Sequence, residues 1–554
     1  MKLEGIVTVK YVRTALMLMV CMVLFAGCAE ESAKTEKTAA VADNADVNVN
    51  IEEEAPVFDG INRLIVHAQQ EGDTIAPEIY GQFAEHLGRC VYEGFWVGED
   101  SDIPNVRGIR TDVVQALKKL NIPVLRWPGG CFADEYHWQD GIGPKDQRPK
   151  MVNTHWGMVT DDNSFGTHEF LDLCEMLGCQ AYIAGNVGSG TVEELQDWIE
   201  YMTFDGDSEM ANLRRANGRQ EPWKIKYVGV GNESWGCGGN MTPGYYSDLY
   251  KRYQTYVREY PGSEITKVAS GPGGEDFNWI EVILKEIGGR MDAYGQHYYV
   301  RGTGSWDEGK KGSATEFDEK EWFVLMDNTL KVDRIIRKNK ELLEKYDRRG
   351  DIDLYVDEWG TWWDEEEGTK GGFLYQQNTL RDAVSCGIFL NEFNKHCDRV
   401  KMCNIAQINN VLQAMILTDG PRMIVTPTYY VFEMFKEHQG AKLVKTDLVC
   451  DDYKFDGKKL PALHVSASKN EAGAMTITIC NLDPSSPAEL ECKIDGIDVQ
   501  SVEGRVLTSD KMNTHNTFEN PEAIEPVKLK GIVVNGDMIT VSLPAKSVSV
   551  IQVN

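Results

Sequence analysis

Two patterns of apolar and polar residues alternate between residues 76 and 440. Short apolar runs, typical of buried strands, alternate with longer segments whose apolar residues recur every three to four positions, as on one face of a helix. The strand candidates are residues 79–87, 123–130, 180–188, 226–233, 266–274, 292–300, 353–360 and 400–410. The helix candidates are residues 111–120, 168–178, 191–202, 244–260, 279–289, 322–346, 379–393 and 429–438. Eight strand–helix pairs predict a (β/α)8 TIM barrel. A doubly wound open sheet is the alternative, but no glycine-rich dinucleotide motif follows the first strand candidate.

The pattern changes after residue 440. Strict alternation of apolar and polar residues, with many β-branched side chains, appears at residues 463–468, 474–482, 488–495 and 538–553. Turn-forming Asp, Asn, Gly and Pro separate these segments, so residues 441–554 are predicted to form an all-β sandwich. Residues 57–75 contain one further strand candidate before the barrel. Because a lone strand needs a sheet to pair with, we expect this segment to join the sandwich.

The first 28 residues have the pattern of a signal peptide. Lys2, Lys10 and Arg13 precede an apolar run at residues 15–27 that is too short to span a bilayer comfortably. The run ends in small residues before Cys28 and resembles a bacterial lipobox, which predicts a lipid anchor at Cys28. An ordinary signal peptide with a chance cysteine is the alternative. Residues 29–56 lack aromatic residues and periodicity and are predicted to be a disordered tether. The chain is therefore expected to be exported and anchored in a bacterial cell envelope, in the outer membrane or the periplasm.

The composition narrows the choice of partners. The chain has 554 residues, 13 Trp, 22 Tyr and a formal charge of −29, which disfavours nucleic acid and anionic lipid and is compatible with a neutral polysaccharide. Apart from Cys21 and Cys28, the cysteines are scattered without metal-ligand or paired spacing, so most are expected to be free core thiols. No histidine pair has the spacing of a zinc motif, and we predict neither a catalytic metal nor a cofactor. The sequence leaves open whether the chain is a homo-oligomer.

Two glutamates lie at the carboxyl ends of predicted barrel strands, where the active site of a TIM barrel is found. Glu233 ends the fourth strand candidate and Glu358 ends the seventh, so both are predicted to project into the mouth of the barrel. Most enzymes that cleave a glycosidic bond use a pair of carboxylates. Retaining enzymes hold the two carboxyls about 5 to 5.5 Å apart and inverting enzymes about 6.5 to 9.5 Å apart. Asp357 is expected to point to the opposite side of its strand from Glu358.

Six motifs resemble those of one known family. They are IYGQFAEHLGR (79–89), VLRWPGGCFADEYHW (124–138), GNESWGCGG (231–239), GQHYY (295–299), YVDEWG (355–360) and IAQINNVLQAMI (405–416). In this order they resemble glycoside hydrolase family 51 of clan A, the α-L-arabinofuranosidases, over about residues 62–554. The resemblance implies that Glu233 is the acid/base and Glu358 the nucleophile of a retaining, exo-acting enzyme. Its partner would be an arabinose-containing polysaccharide or oligosaccharide.

The same resemblance implies a set of sugar contacts. Glu85 and Asn232 match residues that bond sugar hydroxyls, and His297 and Tyr299 match positions beside the nucleophile. Gln407 fits a further hydroxyl contact, although the nearby Gln413 could take that role. Independently of the family, Glu358 must stay ionised, and a cation such as Arg126 at the end of the second strand would help.

Two features of the loop after the second strand bear on substrate choice. Many family members have Asn where this chain has Cys131, and a thiol is a weaker hydrogen-bonding group than an amide, so a looser contact with the sugar is expected here. Residues 153–170 resemble the long loop of xylan-debranching members. His155 and Trp156 are expected to shape the aglycone site by stacking on a xylose ring, unless Trp156 merely packs the loop. Arabinan remains an alternative substrate to arabinoxylan.

Other functions remain open at this point. Clan A barrels also cut β-xylosides and β-glucans with the same acids, so a β-xylosidase or an endo-glycanase is one alternative. A non-catalytic glycan-binding lipoprotein is an alternative of a different class, which the two glutamates disfavour. Trp359, Trp362 and Trp363 could either floor the cleft or pack a loop.

Overall fold

The computed structural model describes residues 59–303 and 310–554. The predicted signal peptide, the predicted tether and Cys28 lie outside these residues. Among the helices that the model does describe, none combines the length and the apolar character needed to cross a bilayer.

Eight parallel strands close into a barrel in chain order. Barrel strands 1 to 8 are Gly81–Phe83, Val124–Trp127, Gln180–Gly185, Tyr227–Val230, Thr266–Gly273, Ala293–Val300, Asp353–Thr361 and Val400–Ala406. Strand 8 pairs back onto strand 1, with Ile405 opposite Gln82. The predicted TIM barrel is confirmed; each strand lies within the segment that the apolar pattern indicates, except that strand 7 extends one residue further, to Thr361.

Helices surround the barrel. Within the described residues, α1 to α9 are Thr111–Lys118, Thr167–Leu177, Val192–Thr203, Glu209–Ala216, Pro243–Tyr256, Phe277–Ile287, Glu319–Tyr346, Leu380–Lys395 and Pro427–Phe435. Side-chain caps begin several of them; at α3, the Thr191 hydroxyl accepts a hydrogen bond from the Glu194 backbone N–H. The sequence prediction missed α4, because its eight residues bury only Ala211 and Arg214 and give little apolar periodicity.

The interior of the barrel changes character along its axis. Seven buried side chains close the end where the strands begin: Val124, Tyr182, Tyr227, Val268, Ala293, Tyr355 and Met402. Beyond this apolar layer, toward the carboxyl ends of the strands, the buried side chains include Arg126, His297 and Glu358. These three charged side chains are buried in contact with one another, as expected for a low-dielectric interior.

The second domain is a sheet of ten strands. Their order across the sheet is Val527–Lys528, Val502–Leu507, Ser547–Val553, Met475–Asn481, Leu463–Lys469, Lys442–Val449, Asn62–Thr74, Ala488–Asp495, Met538–Leu543 and Val533–Asn535. The strand that precedes the barrel lies within this sheet, antiparallel to Lys442–Val449 and parallel to Ala488–Asp495. The sheet has an apolar core of its own. The expected all-β domain after the barrel is confirmed.

Helix α8 joins the two domains. Every residue of the helix from Leu380 to Asn394 is buried, and the helix contacts both the barrel and the sheet. At this interface the Thr478 hydroxyl donates to the Asn391 side-chain oxygen at 2.7 Å. This bond pairs two polar groups that are buried where the barrel rests on the sheet.

Candidate active site

The two predicted carboxylates meet at the mouth of the barrel. His297 lies between them, with its Nδ1 atom 2.9 Å from Oε1 of Glu233 and 3.4 Å from Oε2 of Glu358. One carboxylate oxygen of Glu233 and one of Glu358 lie within 4.8 Å of each other. The side chain of Glu358 is 6% exposed and that of Glu233 is 19% exposed, so Glu358 lies deeper in the barrel.

A tight turn after strand 4 presents Glu233. Its φ is +38°, a left-handed conformation that is uncommon for a residue with a side chain. The backbone N–H groups of Gly236 and Gly238 donate to the carbonyl oxygen of Glu233 at 2.7 and 3.2 Å and close the turn. Such strained backbone, of about 1 to 3 kcal/mol, persists where surrounding contacts hold it and is concentrated at functional sites.

A bulge in strand 7 positions Glu358. Tyr355 pairs with Gly295 and Glu358 pairs with His297, so strand 7 advances three residues where strand 6 advances two. The extra residue turns both Asp357 and Glu358 toward Arg126 in the barrel interior. The expectation that Asp357 points to the opposite side was wrong, because strict alternation fails at a bulge.

Glu358 is held by strong donors. Arg126 Nη1 lies 2.7 Å from Oε1, and the Tyr299 hydroxyl donates to Oε2 at 2.9 Å. Arg126 also donates to the Asn232 side-chain oxygen at 2.6 Å, which orients that amide. Burial acts to lower the pKa of Arg126, but the charges of Glu358 and Asp357 outweigh it and raise the pKa. Glu358 therefore faces a permanent cation, as an ionised nucleophile requires.

His297 is a second cation in the site. Burial opposes its protonation, but the charge of Glu358, followed by the hydrogen bond and charge of Asp357, raises the pKa of His297 to about 10. Its Nε2 atom lies 3.1 Å from Oδ1 of Asp357. The ring is thus an imidazolium at neutral pH and bridges Glu233, Asp357 and Glu358.

Glu85, just after strand 1, is the centre of another polar cluster. Its Oε1 atom accepts hydrogen bonds at 3.0 Å from the backbone N–H groups of Gly130 and Phe132 and from the indole of Trp156. Gln407 Nε2 donates to its Oε2 atom at 3.1 Å. Although these donors favour the carboxylate, burial, followed by the charge of Glu358, raises the pKa of Glu85 to about 7.

The two glutamines near strand 8 have different surroundings. Gln407 reaches Glu85, and its own oxygen is buried without a protein partner. Gln413 instead accepts from the Thr361 backbone and donates to the Asp382 carbonyl, both at 2.9 Å. These bonds satisfy Gln413 away from Glu85, so Gln407 is the better candidate for a sugar contact.

Cys131 corrects the sequence analysis. We expected a free thiol there, but its sulfur is bonded to that of Cys237, with the two Cα atoms 5.5 Å apart. The prediction failed because the two cysteines are 106 residues apart in sequence and meet only when strands 2 and 4 lie two positions apart in the barrel. The available signal was that each cysteine lies in a motif of the site. A disulfide has no S–H donor, so the sugar contact expected from a thiol at Cys131 is not available.

Trp156 lies beside the site. It follows the strand Met151–Asn153 of a short hairpin whose second strand is Val159–Asp161. Its indole N–H is bonded to Glu85, and its ring is half-buried. Next to it, Gly157 packs so closely on Phe373 that an added Cβ would lie 2.6 Å from that ring. The hairpin tip is therefore braced against the loop after strand 7.

The three tryptophans in and just after strand 7 mostly pack the fold. Trp359 is buried against Phe389 and Phe393 outside the barrel. Trp363 is buried and its indole donates to Asp382 at 2.8 Å. Trp362 alone of the three contacts a site residue, since its ring meets that of Tyr299 edge-on at 5.2 Å.

Asp134 is a supporting residue that the sequence analysis missed. This buried carboxylate accepts hydrogen bonds from the backbone N–H groups of Val187, Gly188 and Asn232. Burial raises the pKa of Asp134 to about 7. It ties the loops after strands 2, 3 and 4 together, and the available signal was its place in the motif of residues 124–138.

Three groups in the described residues are close enough to hold an ion: Glu233 with His297 and Glu358, Cys131 with Glu233 and Cys237, and Asp333 with Glu392 and His396. Protonated His297 has no free lone pair for a metal, and the sulfurs of the second group are bonded to each other. Asp333 and Glu392 already face Arg337 and Lys395. The prediction that no metal takes part in catalysis stays a prediction.

Comparison with known proteins agrees with this site. The family profiles described as α-L-arabinofuranosidase 1 domain and α-L-arabinofuranosidase C-terminal domain match residues 116–319 and 357–547. The chain is 46% identical to the family 51 arabinofuranosidase of Xanthomonas axonopodis, with a TM-score of 0.88 over 89% of this chain and 100% of that one. It is 54% identical to an intracellular exo-α-L-arabinofuranosidase of Bacteroides ovatus over 88% of this chain and 94% of that protein. The chain belongs to glycoside hydrolase family 51.

Membership of family 51 establishes the class of reaction that the chain catalyses. The α-L-arabinofuranosidase of Thermotoga maritima, solved with arabinose, is 30% identical and has a TM-score of 0.77 over 89% of this chain and 99% of that one. The protein is therefore a glycoside hydrolase that acts on α-L-arabinofuranosides. A β-xylosidase, an endo-glycanase and a non-catalytic binding protein are not favoured.

Proposed function

We propose that this family 51 enzyme removes terminal arabinofuranosyl groups with retention of anomeric configuration, by a double displacement. The observation that carries the proposal is the distance of at most 4.8 Å between carboxylate oxygens of Glu233 and Glu358. Inverting enzymes separate their carboxyls by about 6.5 to 9.5 Å to admit a water molecule between the acid and the base. One oxygen of each glutamate here lies closer to the other than that separation, which supports retention.

The surroundings of each glutamate suit one role. Glu358 lies deep in the barrel, where Arg126 and the Tyr299 hydroxyl donate to its two oxygens, which suits the nucleophile. The side chain of Glu233 is more exposed, at 19%, which suits a group that must reach both the leaving group and water. We therefore assign nucleophilic attack to Glu358 and proton transfer to Glu233.

The reaction then has two steps. A Glu358 oxygen bonds to the anomeric carbon while Glu233 gives its proton to the departing glycosidic oxygen, which leaves an arabinosyl ester on Glu358. In the second step Glu233, now a carboxylate, takes a proton from water, and the water oxygen replaces Glu358 at the anomeric carbon. Two inversions give net retention, and both glutamates return to their starting states.

Contacts around Glu85 suit a terminal sugar. Its carboxyl, the Asn232 amide and the unpartnered oxygen of Gln407 offer hydrogen-bonding groups to hydroxyls. The Bacteroides ovatus relative is described as exo-acting, which supports the same mode of action for this chain.

The substrate side of the proposal is arabinoxylan, with arabinan as the alternative. If the Trp156 ring stacks on the sugar that bears the arabinose, Trp156→Ala should lower kcat/KM on arabinoxylan fragments by roughly fivefold to tenfold. This fold-change corresponds to a stacking free energy of about 1 kcal/mol. Small aryl arabinosides lack the extended aglycone and should be nearly unaffected. The measurement compares kcat/KM of the wild-type enzyme and of Trp156→Ala on aryl arabinosides, aryl xylosides, arabinan and arabinoxylan fragments.

The existing hydrogen bond of Trp156 needs a control. Trp156→Phe removes the N–H bond to Glu85 but keeps a ring, so it separates loss of stacking from loss of that bond. An equal loss on all arabinosides would mean that Trp156 supports Glu85 and the loop. Arabinan would then be as good a candidate for the natural substrate.

We also propose that the chain is a lipoprotein anchored through Cys28. Wild-type protein should fractionate with membranes, whereas Cys28→Ser should be soluble or poorly processed. A single acyl chain binds membranes only marginally, so stable attachment implies more than one chain. Equal solubility of both forms would rule out the anchor. The fractionation also separates this chain from the Bacteroides ovatus relative, which is described as intracellular.

A further inference from the structure

The disulfide between Cys131 and Cys237 links two loops of the active site. Cys131 begins the short 3₁₀ segment Cys131–Asp134 after strand 2, and Cys237 lies in the turn after strand 4. The other nine cysteines among the described residues are free, and seven of these are buried. Both cysteines of the bridge are partly exposed. The bridge is therefore a local feature of the site and is open to a small reductant.

On one side the bridge is tied to Glu85. The residues flanking Cys131, Gly130 and Phe132, both donate their backbone N–H groups to Glu85 Oε1 at 3.0 Å. Gly130 also lies so close to Glu358 that an added Cβ would be 2.8 Å from its Oε1 atom. The segment that carries Cys131 is thus fixed relative to the nucleophile.

On the other side the bridge touches the acid/base. The Cys237 sulfur lies 3.5 Å from Glu233 Oε2, while Oε1 of the same carboxyl meets His297. One oxygen of Glu233 faces a cation, and the other faces a sulfur that has no proton to donate. The Glu233 backbone itself is in the left-handed conformation and depends on its surroundings to remain there.

One further contact fastens the turn to the same segment. Asp134 Oδ2 accepts a hydrogen bond from the Asn232 backbone N–H at 3.3 Å. Gly238 packs into the gap, where an added Cβ would lie 2.7 Å from Asp134 Oδ2. With the disulfide, the turn that presents Glu233 is held at both ends against the segment Cys131–Asp134.

We propose that the Cys131–Cys237 disulfide is a reducible clamp that positions Glu233 for proton transfer. The proposal rests on the acid/base role assigned to Glu233 above. A soluble dithiol supplies two electrons and two protons, becomes a cyclic disulfide and leaves two thiols at Cys131 and Cys237. Reduction loosens the turn and places an S–H donor beside Glu233 Oε2, where it stabilises the carboxylate over the acid.

The predicted effect depends on the leaving group. A displaced general acid costs most when the departing oxygen needs a proton, and proton transfer is worth about 10²- to 10⁴-fold. Reduction should therefore lower kcat/KM on arabinoxylan fragments by roughly tenfold to a hundredfold. The kcat/KM on an aryl arabinoside with an activated leaving group should change by less than about twofold, because its first step needs little protonation. The alkaline limb of the pH profile on unactivated substrates should move to lower pH.

The test uses the full-length enzyme before and after treatment with a dithiol, followed by reoxidation. Peptide mapping by mass spectrometry must find the 131–237 cross-link in the untreated enzyme and two new thiols after reduction. Cys179→Ser, which alters a partly exposed free cysteine elsewhere, is the matched control and should respond to the dithiol as the parent does. The combined variant Cys131→Ser with Cys237→Ser should reproduce the reduced enzyme and be insensitive to the dithiol.

Three results would overturn the proposal: absence of the cross-link in the untreated enzyme, equal activity before and after reduction on arabinoxylan fragments, or an equal loss on both substrates. The last would show that the bridge supports the whole fold. If the serine variant does not fold, the reduced and reoxidised wild-type enzyme still decides. Failure of the acid/base assignment is a separate outcome, since Glu233→Ala would then show no dependence on the leaving group.

Discussion

Replacing Glu358 with glutamine is expected to lower kcat on every arabinofuranoside by at least about 10³-fold. The amide fills nearly the same space and can still meet Arg126 and Tyr299, but it cannot form the ester on which the first step depends. Steady-state hydrolysis of an aryl arabinoside and of arabinoxylan fragments measures the loss, and circular dichroism checks that the fold is retained.

The control is a change of the same kind outside the site. Glu367 is an exposed acid in the loop after strand 7, and Glu367→Gln should keep the parental rate. Normal hydrolysis by Glu358→Gln would mean that another group attacks the sugar. Asp357 would be the first candidate, because it also faces the barrel interior and lies 3.1 Å from His297.

Replacing Glu233 with alanine should separate the two steps of the reaction. On arabinoxylan fragments, kcat/KM should fall by about 10²- to 10⁴-fold, because the leaving oxygen is no longer protonated. On an activated aryl arabinoside the first step should survive, while hydrolysis of the ester on Glu358 becomes slow. Added azide, which needs no base, should raise kcat and give an arabinosyl azide with the anomeric configuration of the substrate.

The conservative variant Glu233→Gln tests the same assignment with a smaller change of shape. Glu233→Gln keeps the contact with His297 Nδ1 but removes the exchangeable proton, so it should show the same dependence on leaving group and azide as Glu233→Ala. If both substrates lose activity equally and azide has no effect, Glu233 is not the acid/base.

The fold could be read from the sequence because its determinants are local and repeated. Each barrel strand is a short apolar run followed by an amphipathic helix, so the pattern of a unit such as residues 226–256 recurs around the barrel. The placement of Glu233 and Glu358 at one mouth followed from this repetition, since carboxyl ends of parallel strands meet at one end of a barrel. The same reasoning placed Arg126 near Glu358, whereas Glu85 was identified through the family resemblance.

The features that could not be read depend on register and on contacts between distant segments. A single extra residue in strand 7 turns Asp357 into the barrel, and no sequence pattern announces a bulge of this kind. The pairing of Cys131 with Cys237 depends on where two loops meet in space, and cysteine spacing alone does not fix connectivity. The protonated state of His297 likewise follows from three carboxylates, two in strand 7 and one in the turn after strand 4.

The anomeric configuration of the first product tests the double displacement most directly. Proton NMR of an aryl α-L-arabinofuranoside during the first minutes of hydrolysis, before mutarotation, records which anomer of arabinose is released. The close approach of Glu233 and Glu358 predicts that the α-anomer appears first. Initial release of the β-anomer would mean single displacement by water and would contradict the assignment of Glu358 as nucleophile.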